Sequence, residues 1–291
     1  MHEVTERTRH WLETVALLGK RPVVERRLSG GYRNENLLLA CADGRRYVLR
    51  RYLGEARAEV EAALARRVRP VVPVAEVVAA EPGGSALLLE FVPGTAVEEL
   101  LRELPSHDAE SLGITAGRVL AAIGTIRFDR GGFFTDATLV PEPVAGTGDL
   151  PGWVRADPGW ALTAADRDGL LAAAERGAPL IARIADESRL VHSDFNPKNL
   201  LAERSGDGWR VTVLDWEFAF SGSPLADLGN VLRFGDTPFT GGVLAGYGPL
   251  PGGWRETARA LDLFALADLL TRAPQRPLAD AIRTAVDRIV R

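Results

Sequence analysis

The chain has 291 residues, of which 46% are hydrophobic and 25% charged, so it can bury the core of one large domain or of two lobes. The net charge of -4 gives no sign of nucleic-acid binding, and the single cysteine excludes an intrachain disulfide and a four-thiolate zinc site. The first residues lack the apolar stretch of a secretory signal, and no apolar run reaches the ~18 residues of a membrane helix. We therefore expect a cytoplasmic protein with no membrane partner; its oligomeric state is left open.

The first 94 residues show the pattern of an antiparallel sheet with one main helix. Alternating apolar residues between glycine and proline turns predict five strands, at residues 23–28, 37–40, 46–52, 71–79 and 86–91. Residues 55–69 are rich in Ala, Glu and Arg and contain no Pro or Gly, which predicts a helix. Because Pro93-Gly94 then interrupts the chain, we place a boundary there, between lobes 1–94 and 95–291.

The second part of the chain is predicted to be larger and mostly helical. Helical periodicity predicts helices at residues 108–126, 163–188, 256–272 and 278–291. Residues 129–162 carry several prolines and glycines and indicate a long loop, which in a compact domain is usually functional or an insertion. The predicted fold class is therefore α+β, with a sheet lobe followed by a helical lobe.

The most informative stretch is an apolar strand that leads into His192-x-Asp194, with Asn199 five residues after the aspartate. A second short strand then ends at Asp215-Trp216-Glu217. Phosphoryl transfer needs a carboxylate that orients the attacking hydroxyl and hard oxygen ligands for Mg²⁺. Asp194 supplies the first, and Asn199 with Asp215 supplies the second.

This pattern resembles the catalytic loop and metal-binding aspartate of protein kinases, and its residues are most similar to the motifs of the aminoglycoside phosphotransferase and choline kinase-like family. The later stretch Pro224-x-x-Asp227-Leu228 is also similar to that family. The resemblance implies a bilobal protein-kinase-like fold that binds ATP and Mg²⁺. It assigns Asp194 to catalysis, Asn199 and Asp215 to the metal, and Asp227, with His192, to structural support of the loop.

The resemblance also requires a glycine loop over the phosphates and a cation on the third strand. Gly30 and Gly31 lie where the loop is expected, and their amides can face phosphate oxygens. The family's strand lysine has no counterpart, because the chain contains only Lys20 and Lys198. Arg50 fits that position, and strand alternation puts Val48 on the same face to cover the adenine.

The helix that follows should supply an acidic partner for Arg50. Glu59 is the first choice, with Glu61 and Glu55 as alternatives, because the helix phase is not fixed by the sequence. By the same resemblance, the backbone of Glu90 and Val92 at the lobe hinge would bond the adenine edge.

Simpler interpretations of these residues exist. Asp194 could only form a turn before Asn196-Pro197, His192 is more often a structural hydrogen-bonder than a catalyst, and the glycine pair could be an ordinary hairpin turn. Glu217 is either an additional metal contact or a surface carboxylate. The joint spacing of Asp194, Asn199 and Asp215 favours the functional interpretation.

The acceptor is less defined than the reaction. Residues 129–168 carry seven acidic and three basic side chains, which suits a cationic substrate or is simply a solvated acidic loop. The sequence therefore predicts an ATP- and Mg²⁺-dependent kinase of a small hydroxylated molecule, with an aminoglycoside or another amine-bearing antibiotic as one acceptor. A metabolite of choline, amino-sugar or homoserine type is the alternative, and a nucleotide-binding regulatory module with little catalysis is another.

Overall fold

A computed structural model describes residues 4–28, 34–143, 149–156, 160, 162–272 and 284. By its contacts the chain divides into two compact units. The first unit is drawn from Met1–Glu99, Phe134–Val140 and Lys198–Glu217, and the second from Leu100–Phe133, Pro141–Pro197 and Phe218–Arg291. The predicted division after Gly94 into a nucleotide-binding and an acceptor-binding lobe stays a prediction.

A five-stranded antiparallel sheet with the order β1-β2-β3-β5-β4 forms the centre of the first unit. Its strands are β1 (Val23–Leu28), β2 (Asn34–Ala40), β3 (Arg46–Tyr52), β4 (Val77–Ala80) and β5 (Ala86–Glu90). β4 is shorter than predicted because Val71 and Val72 both donate their N–H groups to Val68 at the end of the preceding helix. In the β2–β3 turn Gly44 takes a φ of +80°, which glycine adopts without strain.

One helix precedes the strands of this sheet in the chain, and another lies between β3 and β4. Helix α1 (Glu6–Trp11) continues into a π-helical turn, Leu12–Ala16, and Trp11 and Leu12 pack with Leu37, Leu39 and Leu49 of the sheet. Helix α2 (Ala58–Val68) buries Val60, Glu61, Leu64 and Val68 on one face. This face determines which acidic side chain points toward the sheet.

A three-stranded sheet joins a late segment of the chain to the first unit. Strands β6 (Thr95–Ala96), β10 (Leu200–Ser205) and β11 (Gly208–Val213) pair antiparallel in the order β11-β10-β6. At the end of β11 the N–H of Val213 donates to the carbonyl of Pro73 at 3.1 Å, and Val213 forms a parallel bridge with Val74. These non-local pairs place Asp215 beside the five-stranded sheet.

The second unit is mostly helical, with short strands between the helices. The helices that follow α3 (Val97–Leu100) are α4 (Ser106–Ile123), α5 (Leu150–Ala156), α6 (Ala164–Ala182), α7 (Leu225–Leu232), α8 (Pro238–Tyr247) and α9 (Trp254–Arg272). Strands β7 (Gly132–Phe134), β8 (Pro141–Glu142), β9 (Arg189–Val191) and β12 (Phe220–Gly222) form a sheet with the order β8-β7-β12-β9. The predicted loop 129–162 therefore contains α5 and two strands, which are too short to show periodicity. Thr163 caps α6 by accepting from the N–H of Asp166, and most of the predicted helix 278–291 lies outside the described residues.

Helices α4 and α8 pack backbone against backbone. A Cβ added at Gly113 or Gly117 of α4 would lie 2.2 or 2.1 Å from a carbonyl oxygen of α8, and one at Gly242 of α8 would lie 2.2 Å from the carbonyl of Glu110. Glycine is therefore required at these crossings, where Cα–H groups can approach carbonyl oxygens. Across the described part of the chain, no helix is both long enough and apolar enough to cross a membrane.

Candidate active site

The strand cation Arg50 lies at the centre of a buried polar cluster in the first unit. The residue is only 7% exposed, and its Nη1 donates to both oxygens of Glu61, at 2.9 and 3.0 Å, and to Asp215 Oδ1 at 2.9 Å. Its Nε donates to Asn36 Oδ1 at 3.3 Å, across the β2–β3 pairing. One guanidinium thus joins a strand, a helix and the end of β11, a task that suits its planar set of donors.

The acidic partner of Arg50 is Glu61, which corrects the first choice, Glu59, and agrees with one of its two alternatives. Glu61 is 4% exposed and lies on the buried face of α2, whereas Glu59, two residues earlier, is exposed. Residues two apart on a helix point in different directions, so only one of them can face the sheet. The Tyr52 hydroxyl donates to Glu61 Oε2 at 2.6 Å and helps to fix it.

Burial and charge act against each other in this cluster. Burial alone would lower the pKa of Arg50, but the carboxylates of Glu61 and Asp215 hold it above its usual value. Burial raises the pKa of Glu61, and Arg50 offsets this only in part. Arg50 is therefore a permanent cation, and the cluster has more negative than positive groups around it.

The predicted metal residues Asp215 and Asn199 lie at the same end of the β10–β11 pair. Asn199 directly precedes β10 and is 7% exposed, and its carbonyl accepts from the N–H of Leu214 at 2.9 Å. Asp215 has a φ of +66°, a left-handed conformation that aspartate tolerates better than most residues. This conformation turns the chain sharply at the end of the strand.

The carboxylates near Asp215 are suited to a divalent cation. One oxygen from each of Glu61, Asp215 and Glu217 lies within 4.8 Å of the other two. Hard oxygen ligands of this kind are those that Mg²⁺ prefers. Arg50 bonds both oxygens of Glu61 and Oδ1 of Asp215, so a guanidinium already offsets part of the negative charge of this group.

The part of the predicted catalytic loop up to Pro197 belongs to the second unit and is organised by Asp227. The buried Asp227 carboxylate accepts from the N–H of His192 at 2.8 Å and from the N–H of Ser193 at 2.7 Å. Ser193 has a φ of +71°, which a non-glycine residue holds only when its surroundings enforce it. These two bonds fix the backbone that leads into Asp194.

His192 has the contacts of a structural residue. Its side chain is completely buried, its Nδ1 accepts from the N–H of Asp194 at 3.3 Å, and its ring meets that of Phe195 edge-on. The Asp194 carboxylate accepts from Asn196 Nδ2. Burial raises the pKa of Asp227 to about 7, although the two backbone N–H groups favour its charged form.

The remaining predicted residues are placed as follows. Val48 is half-buried and pairs with Leu89 on β5, and strand alternation puts it on the same side of β3 as Arg50. Glu90 ends β5 and donates its N–H to the carbonyl of Glu76 at 2.9 Å, and Val92 follows two residues later. Gly30 and Gly31 lie outside the described residues.

Sequence reasoning missed four residues that support this cluster: Asn34, Asn36, Tyr52 and Arg57. Two of them could have been found from the strand register, because Asn36 is directly opposite Arg50 and Tyr52 follows Arg50 on the same strand face. Asn34 and Arg57 contact Glu217, which is 183 and 160 residues away in sequence, and no local pattern indicates such pairs.

Comparison with known proteins identifies the family. The profile of the phosphotransferase enzyme family matches residues 24–264. The chain resembles the aminoglycoside phosphotransferase APH(4)-Ia in complex with ADP and hygromycin B, with a TM-score of 0.74, 18% identity and 98% of both chains covered. It also resembles APH(2")-IIIa in complex with GDP and kanamycin (TM-score 0.72, 17% identity, 98% of this chain and 99% of that one). A provisionally assigned fructosamine-3-kinase from Thermobifida fusca gives a TM-score of 0.62 at 20% identity, covering 98% of this chain and 100% of that one. A search of curated protein sequences finds no match. These likenesses confirm the predicted α+β, protein-kinase-like fold.

Proposed function

We propose that this chain, which belongs to the phosphotransferase enzyme family, transfers the γ-phosphate of ATP to a hydroxyl group of a small molecule. The observation that carries the proposal is the buried bridge from Arg50 to Glu61 and Asp215. A cation held by a helix carboxylate, next to an aspartate that ends a strand, is the arrangement that kinase-like enzymes use for nucleotide phosphates.

The nucleotide would be held by the first unit. Arg50 would bind the phosphates with its guanidinium, held in place by Glu61 rather than by the predicted Glu59. Val48 would cover one face of the adenine, and the backbone of Glu90 and Val92 would bond its edge. The amides of Gly30 and Gly31 would face the phosphate oxygens. The ADP that is bound to the structurally similar APH(4)-Ia supports nucleotide binding by this chain.

Magnesium would be held by Asp215 and Asn199, whose oxygen donors fit that ion. When bound, it neutralises charge on the phosphates. Arg50 bonds Asp215 through Oδ1, so this bond leaves Oδ2 available to the ion. The protein's part is thus to present a carboxylate oxygen that is held in a fixed direction before the ion arrives.

The acceptor hydroxyl would be oriented and deprotonated by Asp194. Asp227 and His192 would hold the loop, since they bond the backbone on both sides of Ser193. Asn196 bonds one oxygen of Asp194 and so restricts the rotation of its carboxylate. A fixed carboxylate is what general-base catalysis needs.

We propose a cationic acceptor, such as an aminoglycoside or another amine-bearing compound. The net charge of -4 over residues 129–168 supports it, as do the kanamycin and hygromycin B complexes of the similar structures. A metabolite with an amine, of choline, amino-sugar or homoserine type, has the same chemistry and is the second candidate.

The test is ADP release from purified protein with ATP and Mg²⁺, measured against aminoglycosides, other antibiotics, amino sugars, choline and homoserine. We expect one acceptor to stimulate release and Asp194→Asn to lower kcat about 10²- to 10⁴-fold, as loss of a general base does. Asp207→Asn, in the exposed β10–β11 turn, is the matched control and should leave kcat unchanged. Stimulated turnover that survives in Asp194→Asn would contradict the assignment.

A further inference from the structure

A buried asparagine, Asn34, connects the beginning of β2 with the Asp-Trp-Glu segment. It is the first described residue after Gly30 and Gly31, and it is 4% exposed. Its Nδ2 donates to Glu217 Oε2 at 3.0 Å. Its Oδ1 is buried and has no hydrogen-bond partner among the described residues.

An unpaired buried amide oxygen is unfavourable by about 1–3 kcal/mol. Its presence is best explained by a group that the protein binds. The oxygens of Glu61, Asp215 and Glu217 lie close together here, and Arg50 bonds both Glu61 and Asp215. A hard cation is therefore the group that this set of oxygens fits.

The Asp-Trp-Glu segment is held at both of its ends. Arg50 bonds the side chain of Asp215 at 2.9 Å. At the other end, Asn34 bonds the Glu217 side chain, and Arg57 Nη2 donates to the Glu217 carbonyl at 3.1 Å. The backbone of Glu217 is thus fixed by Arg57, and its carboxylate is directed by Asn34.

We infer that Asn34 is a positioning residue, which holds the Glu217 carboxylate beside Asp215 so that both bind the divalent cation. This inference rests on the proposed function and extends it, because it adds Glu217 to the cation site and names the residue that orients it. Asn34 also begins the strand that follows the glycine pair. A cation bound by Glu217 would therefore restrain the start of β2, and cation binding and phosphate binding should be coupled.

Such coupling is reciprocal: if the cation strengthens nucleotide binding, the nucleotide strengthens cation binding by the same factor. Loss of a residue that orients a metal ligand typically lowers metal affinity 10- to 100-fold. Removal of the Asn34 amide should therefore reduce the effect of Mg²⁺ on nucleotide binding. A merely structural role would instead lower nucleotide affinity equally with and without the ion.

The experiment is calorimetric titration of the full chain with a non-hydrolysable ATP analogue, with and without Mg²⁺, supported by Mn²⁺ binding followed by electron paramagnetic resonance. For Asn34→Ala we expect the Mg²⁺ enhancement and the Mn²⁺ affinity to fall about 10-fold or more, with metal-free nucleotide affinity within about twofold of wild type. Glu217→Gln should reproduce this loss, and the double variant should lose no more than either single one. The control is Glu35→Gln, because Glu35 is next to Asn34 on β2 but pairs with Arg51 of β3, and its loss should change none of these values.

Unchanged enhancement in both Asn34→Ala and Glu217→Gln would overturn the inference, as would additive losses in the double variant. Glu217→Gln keeps the test valid if Asn34→Ala does not fold. Different results would contradict the proposed function itself: a wild-type chain that binds no nucleotide, or an Asp194→Asn variant that keeps its turnover.

Discussion

Arg50→Met should reveal how strongly the buried cluster depends on its cation. The substitution keeps most of the apolar volume and removes the charge, which leaves Glu61, 4% exposed, and Asp215 without their partner. Removing one partner of a buried ion pair typically costs about 3–5 kcal/mol, because a buried charge remains uncompensated. We expect the free energy of unfolding to fall by about that amount.

Arg51→Met is the matched control. Arg51 is adjacent on β3 but points to the other side of the strand, where it pairs with Glu35 at 2.8 Å and keeps 21% of its side chain exposed. Glu35 keeps a second cation, Arg27, at 3.9 Å, so loss of the partly exposed Arg51 should cost only about 0–1 kcal/mol.

The assay is urea unfolding followed by tryptophan fluorescence and circular dichroism. With an m-value of about 3 kcal/mol per M, Arg50→Met should lower the midpoint by roughly 1–1.7 M. The loss should shrink at acidic pH, because burial raises the pKa of Glu61 and protonation then removes its uncompensated charge. Equal midpoints for the two variants, or a loss that does not depend on pH, would refute the reasoning.

The other predictions concern packing, pH and the helix partner. Gly242→Ala should cost about 2 kcal/mol or more, because its Cβ would lie 2.2 Å from a carbonyl of α4, whereas Gly241→Ala meets nothing within 4 Å and should be neutral or stabilising in thermal unfolding. Burial raises the pKa of Asp227 from 3.8 to about 7, so the stability that this group contributes is present below about pH 4 and is lost as the pH rises to about 7. The change in the pKa of Asp227 corresponds to roughly 4 kcal/mol of unfolding free energy. Asp227→Asn should therefore flatten the dependence of the unfolding free energy on pH, and an unchanged slope would contradict this prediction. Glu61→Gln should weaken binding of a non-hydrolysable ATP analogue about 10-fold in calorimetry, while Glu59→Gln should not, because Glu61 alone of the two bonds Arg50.

The sequence allowed the sheet and the main helix to be predicted because each depends on local patterns. The β2–β3 register follows from a short turn, and it puts Asn36 opposite Arg50 without any long-range information. Thr163 and Asp166 likewise predict the start of α6, because a cap is defined by residues three apart.

What could not be predicted depends on contacts between distant segments. Three acidic residues, Glu55, Glu59 and Glu61, were candidates for Arg50, and only the packing of the helix on the sheet selects Glu61. The strands within residues 129–162 have two or three residues, too few to show alternation. The bond between Asn34 and Glu217 joins positions that nothing in the local sequence relates.

The arginine at position 50 changes how Asp215, the proposed metal ligand, is held. A lysine side chain has a single nitrogen, so it could not bond Asn36 through one nitrogen and the two carboxylates through another. Arg50 bonds Asn36 through Nε and both Glu61 and Asp215 through Nη1, which links the three by one rigid plane. Asp215 is therefore held in its left-handed conformation by the protein itself. The direction of the other carboxylate oxygen of Asp215 is thus set by the protein before any cation binds, as the proposed phosphate site would require.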